Sequence, residues 1–100
     1  MTQINIPFNK WSEDRLREGR KYCTSRNKRY GVVGDTFRAT GKDWRLVSVQ
    51  KMTLGMVATH LYEMEGADTP IDFIAVWDDI HSYKGFREDW LVWVHFFVEE

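Results

Sequence analysis

The chain has few of the features that support covalently cross-linked or membrane-embedded structure. Its 100 residues include one cysteine, Cys23, so no disulfide can form within the chain. A single cysteine is compatible with a reducing compartment. The longest apolar stretch, near residues 91–98, is interrupted by His95 and is far too short to span a bilayer. These absences argue against disulfide-rich and membrane-spanning classes and predict a soluble protein without a membrane partner.

Signals for export and for cofactor binding are also missing. The first seven residues carry neither a basic leader nor an apolar run, which predicts no export signal and a cytoplasmic location. His60, His81 and His95 have no helical i, i+4 partner and there is no cysteine pair, so no metal site is expected. The glycines at positions 31, 34 and 41 do not form a phosphate-binding or dinucleotide-binding motif. The sequence therefore predicts no cofactor.

Aromatic residues are abundant. Apolar residues make up 43% of the chain and aromatic residues 15%, with five tryptophans, which is enough for a compact core of large side chains. One hundred residues leave no room for a second core, and neither repeats nor a linker divide the chain. We therefore expect residues 1–100 to form a single domain.

Charge is divided unevenly along the chain. Residues 1–50 carry eleven Lys or Arg against five Asp or Glu, a net charge of +6, whereas residues 51–100 carry three against ten, a net charge of −7. Such a division can mark one face for an anionic partner. It can equally mean that the two halves lie side by side and attract each other. The sequence leaves both explanations open.

Local patterns in the first half predict one helix between extended segments. Residues 4–6 read as a short strand ended by Pro7, and residues 11–18 as a helix with Asn9 or Ser12 as N-cap and Gly19 as its stop. After Gly19 the chain is extended, and a regular strand places residues 21, 23 and 25 on one face and residues 22, 24 and 26 on the other. Residues 36–40 and 44–52 are predicted to be strands joined by a hairpin.

The second half is predicted to contain two helices and a final strand. Apolar residues at i, i+3, i+4 and i+7 indicate a helix over residues 53–64. Thr69 as N-cap and Pro70 at the first helical position begin another that ends near residue 81, with Phe73, Val76 and Ile80 as its buried stripe. Residues 90–98 are apolar on both faces, which is typical of a central strand. The fold class is therefore α+β, with a curled sheet.

Polar groups are densest in residues 19–26, which read Gly-Arg-Lys-Tyr-Cys-Thr-Ser-Arg and precede a Gly34-Asp35 turn. The spacing of Gly19, Lys21, Thr24 and Arg26, with that Gly-Asp and a later Glu65-Gly66, resembles the ASCH domain, a small relative of PUA-type RNA-binding β-barrels. Further similar features lie towards the end of the chain: Phe73-Ile74, Trp77, Ile80-His81, Trp90, Val92-Trp93-Val94 and Phe96.

This resemblance implies a PUA-like, barrel-type sheet of five or six strands with two to three helices at its side and a cleft between them. Some short bacterial ASCH proteins of this size are N(4)-acetylcytidine amidohydrolases, which use a lysine, a threonine and a later glutamate. Carried over to this chain, the catalytic residues are Lys21, Thr24 and Glu65. The glutamate is placed by its position before Gly66, and Glu63 is the alternative.

Amide hydrolysis needs an attacking oxygen, a proton acceptor and a group that stabilises the oxyanion. Thr24 is a candidate for attacking the amide or for positioning a water. Lys21 accepts a proton only when it is neutral, a form that Arg20 and Arg26 would favour. A contact between Lys21 and Glu65 would instead make the carboxylate the acceptor and the lysine the electrostatic stabiliser. The sequence leaves this choice open.

Binding residues are expected beside this motif. Arg26, Lys28 and Arg29 are candidate phosphate contacts, and Tyr30, in the same basic turn, is a candidate for stacking on a nucleobase. The expected partner is a nucleoside or another small amide, with RNA as the alternative. A module that binds a base or RNA without reacting fits the same residues, and a regulatory protein that binds a partner through its acidic helices is a third interpretation. The oligomeric state is not predicted.

Overall fold

Helices and strands follow the predicted α+β order in the computed structural model, which describes residues 2–100. The helices are α1 (Lys10–Arg17), α2 (Leu54–His60), α3 (Tyr62–Glu65) and α4 (Pro70–Ile80). The strands are β1 (Cys23–Arg26), β2 (Thr36–Ala39), β3 (Lys42–Thr53) and β4 (Leu91–Glu99).

The sheet has four strands within residues 2–100, rather than the five or six that were predicted. The missing strand is the one expected at residues 4–6. That segment contributes an isolated bridge between Gln3 and Thr36 and a hydrogen bond from the Ile4 amide to the Thr36 carbonyl oxygen (2.7 Å). Pro7 has no N–H to continue the pairing, and the chain must reach the N-cap of α1 two residues later. The segment is therefore too short to form a ladder.

The strands pair antiparallel in the order β1-β4-β3-β2. β4 lies between β1 and β3, as its two apolar faces predicted. β2 and β3 are joined through Thr40 and Gly41, whose φ angles of 54° and 76° form the two-residue hairpin turn that suits the twist of paired strands. A register shift between Leu46 and Ser48 bends β3. β1 is left at one edge of the sheet.

Side chains from the two faces of the sheet enter different apolar clusters. Val92 and Val94 of β4 are fully buried against the helices that follow β3, together with Cys23 of β1. Phe97 of β4 lies in a second cluster with Phe37 and other aromatic and aliphatic residues from the opposite side. The alternation along β4 therefore supplies both clusters and holds the sheet between them.

The helix starts agree with the sequence signals. The Asn9 side chain accepts a hydrogen bond from the Ser12 amide (2.9 Å), so Asn9 is the N-cap of α1. Thr69 caps α4 in the same way, accepting from the Asp72 amide (3.1 Å), with Pro70 at the first position. No helix among residues 2–100 is long and apolar enough to cross a membrane.

The helix predicted over residues 53–64 is divided into α2 and α3. The division falls at Leu61, whose φ of −119° and ψ of 7° lie outside the helical range. The end of α3 is bound by the segment before β1, since the Met64 carbonyl oxygen accepts a hydrogen bond from the Tyr22 amide (2.7 Å). Gly66, with φ of 101°, then ends α3 in the left-handed conformation. These contacts bring Glu65 to the start of β1.

Candidate functional site

A cavity of about 570 Å³ lies along the exposed edge of β1, a volume within the range of small-molecule sites. We call it the main cavity. Polar residues of the segment around β1 and the end of α3 line one side, and apolar residues of α4 line another. The segment before α1, the first turn of α1 and the turn after β1 complete it. Its lining residues are Pro7, Phe8, Asn9, Trp11, Ser12, Lys21, Thr24, Ser25, Arg26, Asn27, Lys28, Tyr30, Glu65, Phe73, Val76, Trp77, Ile80 and His81.

A buried ion pair lies at the base of the polar side. The Lys21 ammonium donates hydrogen bonds to the Glu65 carboxylate and to the Glu65 backbone carbonyl oxygen, each at 2.9 Å. The two side chains are only 2% and 5% exposed. Hydrogen bonds of this kind offset the cost of burying a charged pair, and two of the three ammonium hydrogens of Lys21 are used in them. Glu65 therefore holds the Lys21 side chain at the base of the cavity through both its carboxylate and its backbone carbonyl oxygen.

Ser25 completes this group, and the sequence-based assignment of the site did not include it. Its hydroxyl donates a hydrogen bond to the second oxygen of the Glu65 carboxylate at 2.5 Å, and the residue is 8% exposed. The signal was present in the strand alternation, which places residues 21, 23 and 25 on one face. Glu65 thus binds an ammonium group through one oxygen and a hydroxyl through the other. Such a carboxylate can accept a proton from the serine hydroxyl.

Thr24 belongs to a different hydrogen-bonded pair. Its hydroxyl oxygen accepts from the Arg26 Nε (3.1 Å), which leaves the hydroxyl hydrogen without an acceptor among residues 2–100 and available to a ligand. The Arg26 guanidinium lies 5.1 Å from the ring centroid of Phe8 and 5.5 Å from that of Tyr30. Burial lowers the pKa of Arg26 from its usual value, but a guanidinium remains protonated in proteins. This pair presents one donor and one cation to the cavity.

Lys21 and Thr24 contact different groups and yet line the same cavity. In a central strand this alternation would separate them by the thickness of the sheet. β1 is an edge strand, however, and Lys21 precedes its first residue, Cys23. The cavity runs along that edge, so side chains from both faces reach it. The position of β1 in the sheet thus brings together three residues predicted from the sequence: Lys21, Thr24 and Glu65.

Cys23 lies within this group but is not suited to be a nucleophile. Burial raises the pKa of the Cys23 thiol well above its usual value, and the negative charge of Glu65 raises it further. The reactive form of cysteine is the thiolate, which such surroundings disfavour. Cys23 is instead fully buried in the apolar cluster with Val92 and Val94.

His95 supports the polar side from β4. It is fully buried, its Nε2 accepts a hydrogen bond from the Tyr30 amide (3.0 Å), and its Nδ1 lies 3.3 Å from the Thr24 carbonyl oxygen. These partners require a neutral ring with the proton on Nδ1. Burial lowers the pKa of His95, which agrees with a neutral ring. His95 therefore ties β1 to the turn that carries Tyr30.

The opposite side of the main cavity comes from one face of α4. Phe73 and Trp77 are buried, with ring centroids 6.4 Å apart, while Ile80 is 51% exposed. The stripe predicted as Phe73, Val76 and Ile80 was expected to be core. All three side chains instead line the cavity, and the prediction of burial was wrong for Ile80, which lies in the last turn of α4 where that helix borders the cavity. An apolar face of this kind can hold an aromatic ring of a ligand.

Most of the remaining predicted residues also reach the main cavity. Lys28 and Tyr30 line it, with the Lys28 ammonium 4.9 Å from the Tyr30 ring centroid. Arg29 does not: it is exposed, donates to the Gly31 carbonyl oxygen (3.0 Å), and lies 5.8 Å from the ring of Trp93. Glu63 is exposed and lies outside the cavity, so only Glu65 of the two candidate glutamates lines it.

Pairing between the halves accounts for part of the uneven charge. Of the eight ion pairs found among residues 2–100, four join a cation of the first half to a carboxylate of the second: Lys21–Glu65, Arg20–Asp68, Lys42–Glu99 and Arg45–Glu100. Oppositely charged side chains of the two halves therefore do lie in contact, as one of the two explanations of the uneven charge requires. Arg26, Lys28 and Arg29 make no ion pair within 4 Å in the described residues. In the same range, no group of three His, Cys, Asp or Glu side chains is placed to hold a metal ion.

Comparison with solved structures identifies the architecture. The chain superposes on an ASCH domain from Lactobacillus crispatus JV V101 with a TM-score of 0.68 and 17% identity, covering 98% of this chain and 78% of that one. The chain has the fold of an ASCH domain. The chain also superposes on a protein from Enterococcus faecalis V583, described by the family model DUF984, with a TM-score of 0.63, 18% identity and the same coverage of both chains. No protein-family model matches the sequence, and no curated protein matches it significantly.

Proposed function

We propose that this ASCH-fold protein is an amidohydrolase that removes an acyl group from a modified pyrimidine nucleoside such as N(4)-acetylcytidine. The observation that carries the proposal is the Lys21–Glu65 pair, which is buried, hydrogen-bonded to Ser25 and open to a cavity of suitable size. Buried charged groups are expensive to maintain and are concentrated at functional sites. Aromatic residues on several sides of the cavity supply surfaces for a pyrimidine ring.

In this proposal each polar residue has its own role, which its contacts support. Because Lys21 binds Glu65 directly, the carboxylate is the proton acceptor and the ammonium is the electrostatic stabiliser. Thr24 has a free hydroxyl hydrogen for the acyl oxygen, and Arg26 lies beside it as a second positive group. Ser25 connects the cavity to Glu65 and can pass on a proton. Lys21, Thr24 and Arg26 together form the site that stabilises the oxyanion.

In this scheme a water molecule attacks the acyl carbon. Ser25 takes a proton from the water as it gives its own to Glu65, and the carbonyl electrons move onto the oxygen that faces Thr24 and Lys21. Collapse of this intermediate breaks the C–N bond, and the proton held by Glu65 returns through Ser25 to the leaving amine. The products are the carboxylic acid and the unmodified nucleoside, so one water is consumed and no other reactant is needed.

The experiment follows release of cytidine from N(4)-acetylcytidine by chromatography. We expect turnover by the wild-type protein and a loss of about 10²–10⁴-fold in kcat for Glu65→Gln, which keeps the shape of the side chain but removes the proton acceptor. Thr24→Val should lower kcat by about 10²-fold, through loss of an oxyanion donor.

Glu63→Gln is the matched control, because Glu63 lies two residues away on the same short helix and outside the main cavity. It should retain wild-type turnover, with folding of every variant checked by circular dichroism. Turnover that survives Glu65→Gln and Thr24→Val together would refute this assignment of the site. No turnover by the wild-type protein under any condition that preserves its fold would refute the hydrolase itself.

A non-catalytic nucleotide-binding module is the second candidate, and the stacking of Arg26 between Phe8 and Tyr30 favours it. Cations over aromatic faces form platforms on which bases stack without sequence preference. Tight cytidine binding with no turnover of the acetylated nucleoside would support this alternative. Weaker binding in Tyr30→Ala would then locate the base on that platform.

A further inference from the structure

A second cavity of about 230 Å³ adjoins the main one beyond α4. Three residues line both cavities: Asn27, Trp77 and His81. Trp77 and His81 are stacked with ring centroids 4.0 Å apart, and this pair lies where the two cavities adjoin. The other lining residues come from the loop between α4 and β4: Tyr83, Lys84, Gly85, Arg87 and Trp90.

The loop is held against the polar side of the main cavity. The Trp90 indole N–H donates to the Asn27 side-chain oxygen (2.9 Å), which links the loop to the turn after β1. The Phe86 amide donates to the Asp78 carboxylate at 2.6 Å and fixes the loop to the end of α4. These contacts place the second cavity in a defined position beside the first.

The charge of the second cavity is opposite to that of the half of the chain that builds it. Residues 51–100 contain three Lys or Arg and ten Asp or Glu. Two of those three cations, Lys84 and Arg87, line this cavity, and none of the ten carboxylates does. Neither Lys84 nor Arg87 forms an ion pair within 4 Å in residues 2–100. Two unpaired cations in an acidic region point to an anionic ligand group.

Size and lining further restrict the ligand. At 230 Å³ the second cavity lies below the usual range for an independent small-molecule site, but it is large enough for a substituent of a ligand seated next door. The Lys84 ammonium lies 5.0 Å from the ring centroid of Trp90. Cations combined with aromatic faces suit a phosphate with a sugar or base next to it.

We propose that the ligand of the main cavity is a nucleotide rather than a free nucleoside, with its phosphate bound in the second cavity by Lys84 and Arg87. This inference rests on the proposed function, because it assumes a pyrimidine in the main cavity. The phosphate belongs either to a mononucleotide or to an oligonucleotide chain, and both present anionic phosphate oxygens to the two cations.

The test measures binding of cytidine, cytidine 5′-monophosphate and the dinucleotide uridylyl-cytidine, whose phosphate is on the cytidine 5′-oxygen, by calorimetry at low salt. Hydrogen bonds to charged groups predict that the monophosphate binds the wild-type protein about tenfold more tightly than cytidine. The double variant Lys84→Ala/Arg87→Ala should lose this preference and keep its affinity for cytidine. Both side chains are exposed, so the variant should fold normally. A dinucleotide that binds more tightly than the monophosphate would show that the bound phosphate comes from an oligonucleotide. Equal affinities of the two would show that it comes from a mononucleotide.

Lys42→Ala/Arg45→Ala is the matched control, because it removes the same charge from β3 outside both cavities. It should keep the preference for the phosphate. Equal affinities of the wild-type protein for cytidine and its monophosphate would overturn the phosphate site while leaving the proposed function in place. Conversely, the monophosphate could bind through Lys84 and Arg87 while neither cytidine nor its acetylated form binds at all. That result would refute the pyrimidine site but not the anion site.

Discussion

The two main sides of the cavity are built in opposite ways. The polar side combines Lys21, Thr24 and Ser25 with Glu65, which is at least forty residues away in the chain, and each of these side chains has a hydrogen-bond partner. The apolar side comes from a single helix, α4, and makes its surface from ordinary helical spacing. One side thus depends on long-range pairing, and the other on local periodicity.

Because of this difference, we expect the polar side to determine catalysis and the apolar side to determine how well a ligand fits. Buried polar groups must be matched in position to a fraction of an ångström, because an unmet partner costs as much as the interaction gains. An apolar surface tolerates small displacements, since its contribution depends mainly on the area removed from water. We therefore expect changes on the polar side to affect stability and catalysis together. Changes on the α4 side should mainly affect ligand affinity.

The largest effect on stability is expected from breaking the buried pair. Lys21→Met leaves the Glu65 carboxylate buried without its cation, which should lower the free energy of unfolding by about 3–5 kcal/mol. Urea denaturation measures this change. The double variant Lys21→Met/Glu65→Leu removes both charges and should recover much of the loss, while remaining inactive.

Lys42→Met is the matched control for that experiment. Lys42 forms an exposed pair with Glu99 at 3.3 Å, and the two side chains are 49% and 50% exposed. Loss of such a pair should cost about 0.2–1 kcal/mol. Equal destabilisation by Lys21→Met and Lys42→Met would show that the buried Lys21–Glu65 pair contributes no more to stability than an ion pair on the protein surface.

A smaller effect on the free energy of unfolding is expected from lowering the pH, through His95, which links β1 to the turn that carries Tyr30. Because the pKa of His95 is lowered in the folded protein, the unfolded chain binds a proton at higher pH than the native state does. The His95 contribution is therefore present above the unfolded pKa of about 6.5 and declines as pH falls below it, by at most about 1.4 kcal/mol per pH unit. Protonation of Nε2 would also remove the acceptor of the Tyr30 amide.

Urea denaturation between pH 7.5 and pH 5 in wild type and His95→Gln measures this dependence. The difference in stability between the two proteins should narrow as pH falls, since glutamine does not titrate. His60→Gln, at an exposed position near the end of α2, should follow the wild-type curve. Parallel curves for wild type and His95→Gln would contradict the neutral, buried state of His95.

Much of the fold could be predicted because its signals are local. The caps at Asn9 and Thr69, the turn at Gly41 and the two-faced apolar strand β4 each depend on a few neighbouring residues. The strand predicted at residues 4–6 could not be excluded from local signals. It does not form because the chain must reach the start of α1 within a few residues. The division of the helix at Leu61 likewise reflects contacts between α3 and the segment before β1.

The candidate site was predictable in part for the same reason. The motif identified Lys21 and Thr24, but the sequence could not show that β1 lies at an edge, which is what allows both side chains to reach one cavity. Periodicity marked Ile80 as apolar without showing whether another element covers it. Ser25 was placed on the same face as Lys21 by alternation, and only the position of Glu65 makes it part of the site.

Whether ligand binds between the two sides can be measured by titrating cytidine into isotopically labelled protein and following backbone amide resonances. We expect saturable shifts at Thr24 and Ser25 on the polar side together with Val76 and Trp77 on α4, because the ring must lie between them. Shifts on one side alone, or shifts centred on the exposed Arg29 and the partly buried Trp93 beside it, would show that the cavity beside β1 is not where this protein binds its ligand.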